Sequence, residues 1–369
     1  MKIAIHAKAL TERTIGGIGY YTYNLLKAIA KIDIINTYVL FSNKNYVHKI
    51  DSPNFEHRLV KYPKFWSYFG LPLELRKEKF DMLFMPKEMI PPFSPKTVMV
   101  VYEMGIHYYA KGIPVSGKIH YYLSKYIHMK RAKKIIAISQ DTKNDIVEIA
   151  GISPEKVSVI YPGCDFDLFR KITDLDLIEK VKKRYGISGK YIINTSSVSW
   201  FRKNLTGVLE AFADCVKKHE IEHKLVITGS KGSQSDKLET LIKELGIADK
   251  VIFSGYVETE DMPVLLSGSE IFVFPSLFEG FGLSLLEAMA CGCAVITSNT
   301  SAMPEVCGDA GIMVDPNNIN EITEAIYNLI LDKELRYNLA SKALLRAKTF
   351  TWERAARETL KIFNEVSKN

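Results

Sequence analysis

The sequence predicts an α/β protein with two parallel sheets, each covered by helices on both faces. Short apolar strands alternate with amphipathic helices along most of the chain, and this alternation is typical of parallel sheets. It occurs in two runs, which are separated by a segment with proline and glycine at residues 160–169, IYPGCDFDLF. The sequence therefore predicts two domains, residues 1–165 and residues 166–351, followed by a final helical segment at 352–369.

The first run begins with a buried strand at residues 2–6, KIAIH, and a glycine-containing loop at 14–19, TIGGIG. The loop leads into an amphipathic helix at 20–32. The other elements predicted in this run are strands at 38–41, 57–61, 82–85, 98–101 and 135–138, and a tyrosine- and lysine-rich helix at 116–134.

The second run follows a polar stretch at 170–183, which comes directly after the crossing between the domains that is predicted at 160–169. Its strands again alternate with helices, as a parallel sheet requires. The predicted strands lie at 191–197, 224–228, 251–254, 271–274 and 294–297. The predicted helices lie at 205–218, 235–245, 259–267, 283–290, 319–331, 333–348 and 351–366.

The composition is that of a globular protein without a spanning segment. Of the 369 residues, 47% are apolar, and no run of eighteen apolar residues occurs. The first ten residues contain His6 and Lys8, so they do not resemble a signal peptide. The five cysteines form an odd set, and only one residue separates Cys291 from Cys293, unlike the spacing of a zinc or redox site. These observations predict a cytoplasmic protein.

The net charge of +7 is unevenly distributed along the chain. Residues 1–170 carry a formal charge of +10, and residues 171–369 carry −3. The basic half favours an anionic partner, either a membrane surface or a substrate, although a scatter of solvated lysines explains the same count. The aromatic and basic segment at 61–69, KYPKFWSYF, is typical either of a membrane interface or of packing within its own domain. No nucleic-acid partner is predicted.

The most informative stretch is residues 274–298, FPSLFEGFGLSLLEAMACGCAVITS. An apolar strand, a glycine loop, a short helix and a second strand follow one another, as in a βαβ unit. In such units ligands bind outside the carboxyl ends of the strands, against the N-terminus of the helix. The loop contains Glu279, and Glu287 lies eight residues later. Backbone amides and two carboxylates suit a ligand with an anionic part and hydroxyl groups, such as a sugar nucleotide.

The spacing Glu279-x7-Glu287 inside this run resembles the signature of retaining glycosyltransferases with the GT-B fold, most of all that of glycosyltransferase family 4. A second motif, Arg202-Lys203-Asn204, resembles the R-K-N or R-K-G of the same family. The resemblance implies two Rossmann-like, doubly wound domains that face each other across a cleft. It also implies an acceptor-binding N-terminal domain, a C-terminal domain that binds the nucleotide sugar, and a last helix, 352–369, that crosses back to the N-terminal domain.

The resemblance also implies a role for each residue that matches a family motif. Lys203, together with Arg202, would bind the donor diphosphate, because the departing nucleoside diphosphate gathers negative charge. Glu279 would contact the donor sugar, and Glu287 would accept hydrogen bonds from the ribose hydroxyls. Glu279, Lys203 and Arg202 form the predicted catalytic set. The other predicted donor-binding residues are Gly16 and Gly17 near the phosphates, Gly255 and Val257 at the nucleobase, Gly280, Phe281 and Gly282 with their amides, and Leu283 and Ser284 at the helix terminus.

No metal ion and no other cofactor are expected, because basic residues and a helix terminus hold the diphosphate in GT-B enzymes. Asp165-x-Asp167 looks like the metal-binding pair of other glycosyltransferases, but it matches a linker of family 4 in which the acid is structural. A nicotinamide cofactor is not predicted either. Gly17-x-Gly19 lacks the third glycine of the dinucleotide fingerprint, and the next strand ends without a ribose-binding acid.

Tyr102 and Glu103 are the predicted acceptor-side residues, in a place where family 4 commonly has a His-Asp pair. The resemblance thus implies a retaining glycosyltransferase that moves a hexose, first of all mannose from GDP-mannose, to a hydroxyl of a glycan or lipid-linked saccharide. We expect a cytoplasmic protein that is peripheral to the inner face of a membrane. Two alternatives stay open, namely a scaffold subunit that binds sugar nucleotides and a sugar-nucleotide epimerase of similar fold.

Overall fold

The computed structural model describes residues 1–12, 16–62, 65–87, 90–105, 107–108, 115–195, 201–229 and 235–368. The chain forms two compact units. The first unit combines residues 1–163 with residues 351–369, and the second is the continuous segment 164–350. The chain therefore leaves the first unit once and returns to it with its last helix.

A parallel sheet is the centre of the first unit, and it has seven strands within the described residues. The strands are β1 (Lys2–His6), β2 (Thr37–Ser42), β3 (Phe55–Leu59), β4 (Met82–Met85), β5 (Thr97–Val101), β6 (Lys134–Ala137) and β7 (Val157–Val159). They lie in the order β3-β2-β1-β4-β5-β6-β7, with parallel neighbours throughout. This order reverses between β1 and β4, as in doubly wound folds.

A second parallel sheet, of six strands in the part that the structure describes, is the centre of the second unit. Its strands are β8 (Tyr191–Thr195), β9 (Lys224–Thr228), β10 (Val251–Gly255), β11 (Ile271–Phe274), β12 (Ala294–Ser298) and β13 (Ile312–Val314). They lie in the order β10-β9-β8-β11-β12-β13, again with parallel neighbours. The order reverses between β8 and β11, so this sheet is also doubly wound.

Helices connect the strands in both units. They are α1 (Gly17–Ile32), α2 (Gly70–Leu75), α3 (Val115–Arg131), α4 (Gln140–Ala150), α5 (Leu175–Arg184), α6 (Leu205–His219), α7 (Ser235–Leu245), α8 (Met262–Gly268), α9 (Leu283–Ala290), α10 (Met303–Cys307), α11 (Ile319–Leu331), α12 (Lys333–Ala347) and α13 (Trp352–Lys368). Short 3₁₀ turns occur at Lys8–Thr11, Pro154–Lys156 and Phe201–Lys203. Polar side chains cap α4, α5, α11 and α12 by accepting a first-turn N–H, and the caps are Ser139, Asp174, Asn318 and Asp332.

Helices cover both faces of the first sheet. Because side chains alternate along a strand, Ile3 and Ile5 of β1 face one side, and Ala4 faces the other. Ala4 belongs to a buried core that residues of α2, α3 and α4 complete. On the opposite face, Phe84 of β4 is paired with Ile5 and its ring contacts that of Phe363 at 5.2 Å. Helix α13, which also packs against α1, therefore covers the second face.

The return of the chain to the first unit depends on a close backbone approach at Gly163. A Cβ atom at this position would lie 2.1 Å from the backbone nitrogen of Trp352, so a larger residue would push the start of α13 away. The Trp352 ring contacts the ring of Tyr21 in α1 at 5.5 Å, in an edge-on arrangement. The last helix thus packs within the first unit, as the resemblance implied.

The second sheet is covered on one face by α6, α7 and α11, which form a continuous buried core with Ile192, Val273 and Ile296. The alternate residues face the other side, where Phe272 and Phe274 stack at 5.6 Å. Helix α9 lies on this second side, next to β11 and β12, and α8 packs against α9. Two-sided burial explains why these strands are apolar at nearly every position.

Several elements differ from the sequence predictions. Helix α1 begins at Gly17 instead of residue 20, because Gly16 is its N-cap and all three following residues are helical. Strand β3 occupies 55–59 and not 57–61, and α8 begins at Met262 and not at residue 259. Of the predicted segments, residues 14–15 and 196–197 lie outside the described residues.

Helix α5 lies largely within the polar stretch at 170–183, for which the sequence predicted no helix or strand. Only two of its apolar residues, Ile178 and Val181, are buried, so most of its sequence has the polarity of a linker. Strands β7 and β13 were not predicted either, because three residues are too few to show a strand pattern. In the segment at 61–69, Trp66 is buried and Phe69 is exposed, and residues 63–64 lie outside the described part.

The described helices are all either too short or too polar to span a bilayer.

Candidate functional site

The candidate site lies at the carboxyl edge of the second sheet, where the strand order reverses. Strand β8 ends at Thr195 and β11 ends at Phe274, and these two strands are hydrogen-bonded neighbours. The connection after β8 includes the 3₁₀ turn Phe201–Lys203, and the connection after β11 leads into α9. In doubly wound sheets, this is the place at which ligands bind.

Lys203 and Glu279 form an ion pair in this place. The distance between Lys203 Nζ and Glu279 Oε1 is 2.5 Å, and the two side chains are 20% and 12% exposed. Ser276 Oγ donates a second hydrogen bond to the same carboxylate oxygen, at 3.0 Å. In the part of the chain that the structure describes, the other oxygen, Oε2, has no hydrogen-bond partner. That oxygen is therefore available to a ligand hydroxyl.

The basic turn is tied to the loop after β11 through the backbone. The carbonyl oxygen of Arg202 accepts a hydrogen bond from the N–H of Leu277 at 2.8 Å. The Asn204 side chain donates to the carbonyl oxygens of Pro275 and Pro316, at 3.2 and 2.6 Å. Asn204 has a φ of +53°, a left-handed conformation that asparagine and glycine adopt more easily than other residues. This conformation explains why asparagine or glycine suits the third position of the motif.

The loop after β11 is also held from its other side. The backbone N–H of Glu279 donates to Ser301 Oγ at 3.1 Å. Gly282, the last loop residue, has a φ of +98°, and a Cβ atom there would lie 2.3 Å from Met303 Cε. Phe281 is buried, and its ring contacts Phe350 at 5.7 Å. The loop is therefore packed into the second unit, with Glu279 in a defined place.

Helix α9 begins directly after this loop. Gly282 is its N-cap, and Leu283 and Ser284 in its first turn are half-buried. The first N–H groups of a helix have no partner inside the helix, and the helix dipole makes this end attractive to anions. Gly280 and Gly282 precede this helix terminus, and Leu283 and Ser284 form it. Contact of the glycine amides with the sugar, and of the terminus with the phosphates, stays a prediction.

Glu287 lies one turn into α9, on a partly buried surface. Burial raises the pKa of its carboxyl group to about 8, and the positive charge of Lys203 opposes this shift. A carboxyl group with so little solvation gains from ligand hydroxyls that donate to it. Glu287, Glu279 and Lys203 are thus brought together, although 84 residues separate the first from the last.

Gly255 and Val257 lie further along the same sheet, at the end of β10. Gly255 has a φ of +71°, the register between β9 and β10 shifts beside it, and Val257 is buried. Tyr185 Oη holds the following residue, Glu258, by accepting its N–H at 3.1 Å. Within the described residues, no hydrogen bond or ion pair joins Gly255 or Val257 to Lys203, so the role of the two residues at the nucleobase stays a prediction.

The remaining predicted site residues belong to the first unit. Gly16 caps α1, where its carbonyl oxygen accepts the N–H of Tyr20 at 2.9 Å, and Gly17 is the first helical residue. Tyr102 and Glu103 follow β5 at its carboxyl end, and Tyr102 Oη donates to the carbonyl oxygen of Pro86 at 3.2 Å. These residues lie at the same edge of the first sheet, and their contact with a ligand stays a prediction.

Two family models match the chain. The model described as "Glycosyl transferases group 1" matches residues 178–346, and the one described as "Glycosyltransferase Family 4" matches residues 15–168. The chain belongs to glycosyltransferase family 4. The two matches leave only short segments uncovered, and they correspond to the two units of the structure. This glycosyltransferase therefore transfers a sugar from a nucleotide sugar.

The glycosyltransferase is similar in sequence to mannosyltransferases of other organisms. It is 27% identical to O-antigen chain mannosyltransferase B of Escherichia coli, over 98% of this chain and 99% of that protein. It is 31% identical to an MMP α-(1→4)-mannosyltransferase of Mycolicibacterium hassiacum, a match that covers 64% of this chain and 55% of the relative. Among solved structures, sucrose-phosphate synthase from Thermosynechococcus elongatus has a TM-score of 0.79 at 18% identity, over 99% of this chain and 98% of that one. The GT-B fold expected from the sequence is confirmed by this likeness.

Ser276 and Ser301 are site residues that the sequence did not indicate. Ser276 lies three residues before Glu279, in the Pro-Ser turn, and such a serine is ordinary in a turn. Ser301 lies 22 residues after Glu279 and in no motif, so only the fold connects the two.

Proposed function

We propose that this glycosyltransferase is a retaining hexosyltransferase that moves mannose from GDP-mannose to a hydroxyl of a glycan or a lipid-linked saccharide. The observation that carries the proposal is the Lys203–Glu279 ion pair at the switch point of the second sheet. The similarity to an O-antigen mannosyltransferase over nearly the whole of both chains supports mannose as the sugar.

The proposed roles follow from charge. As the bond between the sugar and the diphosphate breaks, negative charge gathers on the diphosphate, and fixed positive groups stabilise it. Lys203, Arg202 and the N-terminus of α9 supply positive charge or oriented N–H groups at this edge of the sheet. Glu279 keeps Oε2 for a hydroxyl of the sugar, and Glu287 accepts hydrogen bonds from the ribose.

Retention of configuration is the stereochemical part of the proposal. Leaving and entering groups then lie on one face of the sugar, and the transition state resembles an oxocarbenium ion. Retaining glycosidases use a pair of carboxylates as acid and nucleophile. Here we propose an orienting role for Glu279 and no covalent nucleophile, because Lys203 and Ser276 already hold one of its oxygens. Proton NMR of the first product, before mutarotation, tests the stereochemistry.

We also propose that no metal ion takes part in transfer. The charge of the diphosphate would be met by Lys203 and Arg202 instead of a divalent cation. Asp165 of the Asp165-x-Asp167 sequence accepts a hydrogen bond from the N–H of Asp167, at 3.2 Å, which is consistent with the structural role predicted for the linker. The initial rate should be unchanged by EDTA and unchanged again when magnesium is restored.

A membrane surface is the proposed location of the acceptor. Helix α3 exposes an apolar stripe at helical spacing, formed by Val115, Ile119, Tyr122 and Tyr126, which are 71%, 54%, 42% and 47% exposed. The α3 sequence contains three lysines and one arginine but no acidic residue. An apolar stripe on a basic helix suits the interface of an anionic bilayer. We therefore propose a protein peripheral to the inner face of the membrane.

A thermal-shift panel with GDP, UDP, dTDP, ADP and their sugars tests the donor. A ligand at a hundred times its dissociation constant stabilises the folded state by about 2.7 kcal/mol. GDP and GDP-mannose are expected to give the largest shifts. The Glu279→Gln variant should keep the shift with GDP and lose transfer, because the role proposed for Glu279 is at the sugar and not at the phosphates.

The two alternatives give different results in the same assays. A scaffold subunit would bind the sugar nucleotide, yet it would neither hydrolyse nor transfer the sugar. An epimerase would convert the sugar nucleotide without an acceptor and without release of nucleoside diphosphate. Transfer of mannose with release of GDP supports the proposal, and either other result would contradict it.

A further inference from the structure

Ser301 has a backbone conformation that is unfavourable for a serine. Its φ is +51°, in the left-handed region, and few other non-glycine residues in the described ranges have a positive φ. A side chain in this region costs conformational free energy, and such residues persist only where the surrounding structure enforces them. Ser301 lies in the short connection between β12 and α10.

The Ser301 hydroxyl contacts the site directly. Its Oγ accepts the backbone N–H of Glu279 at 3.1 Å, across 22 residues of sequence. Two residues after Ser301, Met303 packs so closely against Gly282 that a Cβ atom there would lie 2.3 Å from Met303 Cε. The connection after β12 therefore holds the loop after β11 at two points, at Glu279 and at the start of α9.

Holding the backbone of Glu279 has a consequence for its carboxylate. Its Oε1 accepts hydrogen bonds from Lys203 at 2.5 Å and from Ser276 at 3.0 Å, so both donors bind the same carboxylate oxygen. Those two bonds limit the direction of the carboxylate, but its position also depends on where the Cα atom lies. A displacement of about 1 Å at a reacting group lowers a rate by up to about 10²-fold. A bond to the Glu279 N–H controls that position.

We propose that Ser301 is a positioning residue: its hydroxyl fixes the backbone of Glu279, and the left-handed backbone of Ser301 is what brings the hydroxyl there. This inference rests on the proposed function, in which Glu279 contacts the donor sugar. In this role, Ser301 acts through the backbone of Glu279 and needs no contact of its own with the sugar or the diphosphate. The unfavourable backbone conformation of Ser301 thus serves activity at a cost in stability. A variant without it should be at least as stable as the wild type but slower in catalysis.

The test is Ser301→Gly, which removes the hydroxyl and the backbone strain together. The melting temperature should stay the same or rise, whereas kcat should fall by about tenfold, the size expected for loss of one net hydrogen bond in the transition state. The dissociation constant for the nucleoside diphosphate should not change. A purely structural residue would lower activity only as it lowered stability.

Glu220→Gly is the matched control. Glu220 has a φ of +51° at the C-cap of α6, it belongs to the same unit, and its side chain is exposed. This variant relieves strain of the same kind without touching the Glu279 loop, so the melting temperature should rise and kcat should stay the same. Ser301→Asn tests rescue, because asparagine tolerates the left-handed region and offers an acceptor oxygen. It should recover part of the kcat lost in Ser301→Gly.

Two results would overturn the inference. One is wild-type kcat in Ser301→Gly, and the other is a parallel loss of nucleoside diphosphate binding and kcat. The kinetics use whichever sugar nucleotide the wild type transfers. A wild type that uses a donor other than GDP-mannose would contradict the proposed donor while leaving the Ser301 test intact. A wild type that binds sugar nucleotides without any transfer would contradict the proposed function itself.

Discussion

Lys203 is the residue on which transfer should depend most. Lys203→Ala removes the ammonium group that is paired with Glu279 and leaves the developing charge of the diphosphate unanswered. Loss of one such preorganised group costs about 3–4 kcal/mol in the transition state. Because each 1.36 kcal/mol is tenfold in rate, kcat/KM should fall by about 10²–10³. Lys203→Arg should recover part of this loss, since the charge is kept with a different geometry.

Steady-state kinetics and the melting temperature together decide this prediction. Lys218→Ala is the control, because Lys218 forms an exposed ion pair with Asp214 at 3.2 Å and should not affect the rate. If Lys203→Ala keeps most of its activity while Arg202→Ala does not, Arg202 binds the diphosphate instead.

Glu287 should make donor binding depend on pH. In the absence of ligand, burial raises the pKa of its carboxyl group to about 8, so the group is largely protonated at neutral pH. Ribose hydroxyls that donate to the carboxylate favour the ionised form and lower this pKa. Affinity for the nucleoside diphosphate should therefore rise as the pH rises towards about 8 and level off above it. Binding should release protons, which calorimetry in two buffers measures.

The same group affects stability in the opposite direction. The pKa in the folded state lies above the ordinary value of 4.5, so the free energy of unfolding should fall as the pH rises from about 4.5 to about 8. Glu287→Gln is the control for the pH dependence of affinity, because the diphosphate of the ligand titrates equally in both proteins. An equal slope of affinity against pH in Glu287→Gln and the wild type would contradict the assignment.

Individual site residues were predictable from the sequence when they lay in a local motif. Glu279 and Glu287 are eight residues apart on one loop and helix, and Arg202-Lys203-Asn204 is contiguous. The ion pair between Lys203 and Glu279 needed the fold, because 76 residues separate the partners. Ser301 could not be predicted, since no sequence pattern reports a left-handed φ at a serine.

At the scale of elements, α13 should be essential to the first unit. Phe363 is fully buried against Phe84, and its replacement by alanine leaves a cavity beneath the helix. Phe363→Ala should lower the free energy of unfolding by about 3–5 kcal/mol. Urea denaturation measures this loss. Arg357→Ala on the same helix removes only an exposed ion pair with Glu353, so it should cost less than about 0.5 kcal/mol; a comparable cost would contradict the packing of α13.

Helix α3 should govern binding to anionic vesicles. Replacing Ile119 and Tyr126 by serine removes half of the exposed stripe, so co-sedimentation with anionic vesicles should fall. Because surface charges act over a Debye length of about 8 Å at physiological ionic strength, wild-type binding should also weaken as salt is added.

Ile34→Ser with Ile35→Ser is the matched control for α3. Both isoleucines are exposed in the same unit, but they lie between α1 and β2 and outside the basic helix. Their loss should leave vesicle binding unchanged. Equal binding of the wild type to anionic and neutral vesicles at low salt would show that charge does not direct this surface to membranes.

The sequence predicted the bounds of helices and strands well where one face, or both faces, of the element are buried. Strands β9 and β11 and helices α7, α9 and α11 have the predicted bounds, because their buried residues repeat at the period of a strand or helix. Helix α5 was missed because its buried face is narrow. The short strands β7 and β13 lie at sheet edges, where few residues need to be apolar.

At the scale of the molecule, the second unit should be independent. Residues 164–350 contain a complete sheet, its two layers of helices and the Lys203–Glu279 pair. Expressed alone, this segment should unfold cooperatively and bind the nucleoside diphosphate, as thermal shift and calorimetry can show. The same segment with Lys203→Ala should fold but bind more weakly. A segment that folds and does not bind would place essential donor contacts elsewhere.

The number and type of sheets were predictable because strands and helices alternate in two separate runs. The nucleobase of the donor could not be predicted from the sequence. The loop at Gly255 and Val257 is expected to contact it through backbone atoms, and backbone atoms are the same for every sequence. The acceptor was not predictable either. Tyr102 and Glu103 depart from the usual pair, and their neighbours at 109–114 lie outside the described residues.

Folding of the second unit also affects how the first unit can fold. The N–H of Cys164 donates to the carbonyl oxygen of Phe350 at 3.0 Å, so the two ends of the second unit are adjacent. In an unfolded chain, Gly163 and Trp352 are separated by a long loop, and closing it costs entropy that grows with loop length. Once the second unit has folded, that loop acts as a short link. During synthesis the second unit is complete before α13 emerges, so we expect it to fold first and to deliver Trp352 to Gly163.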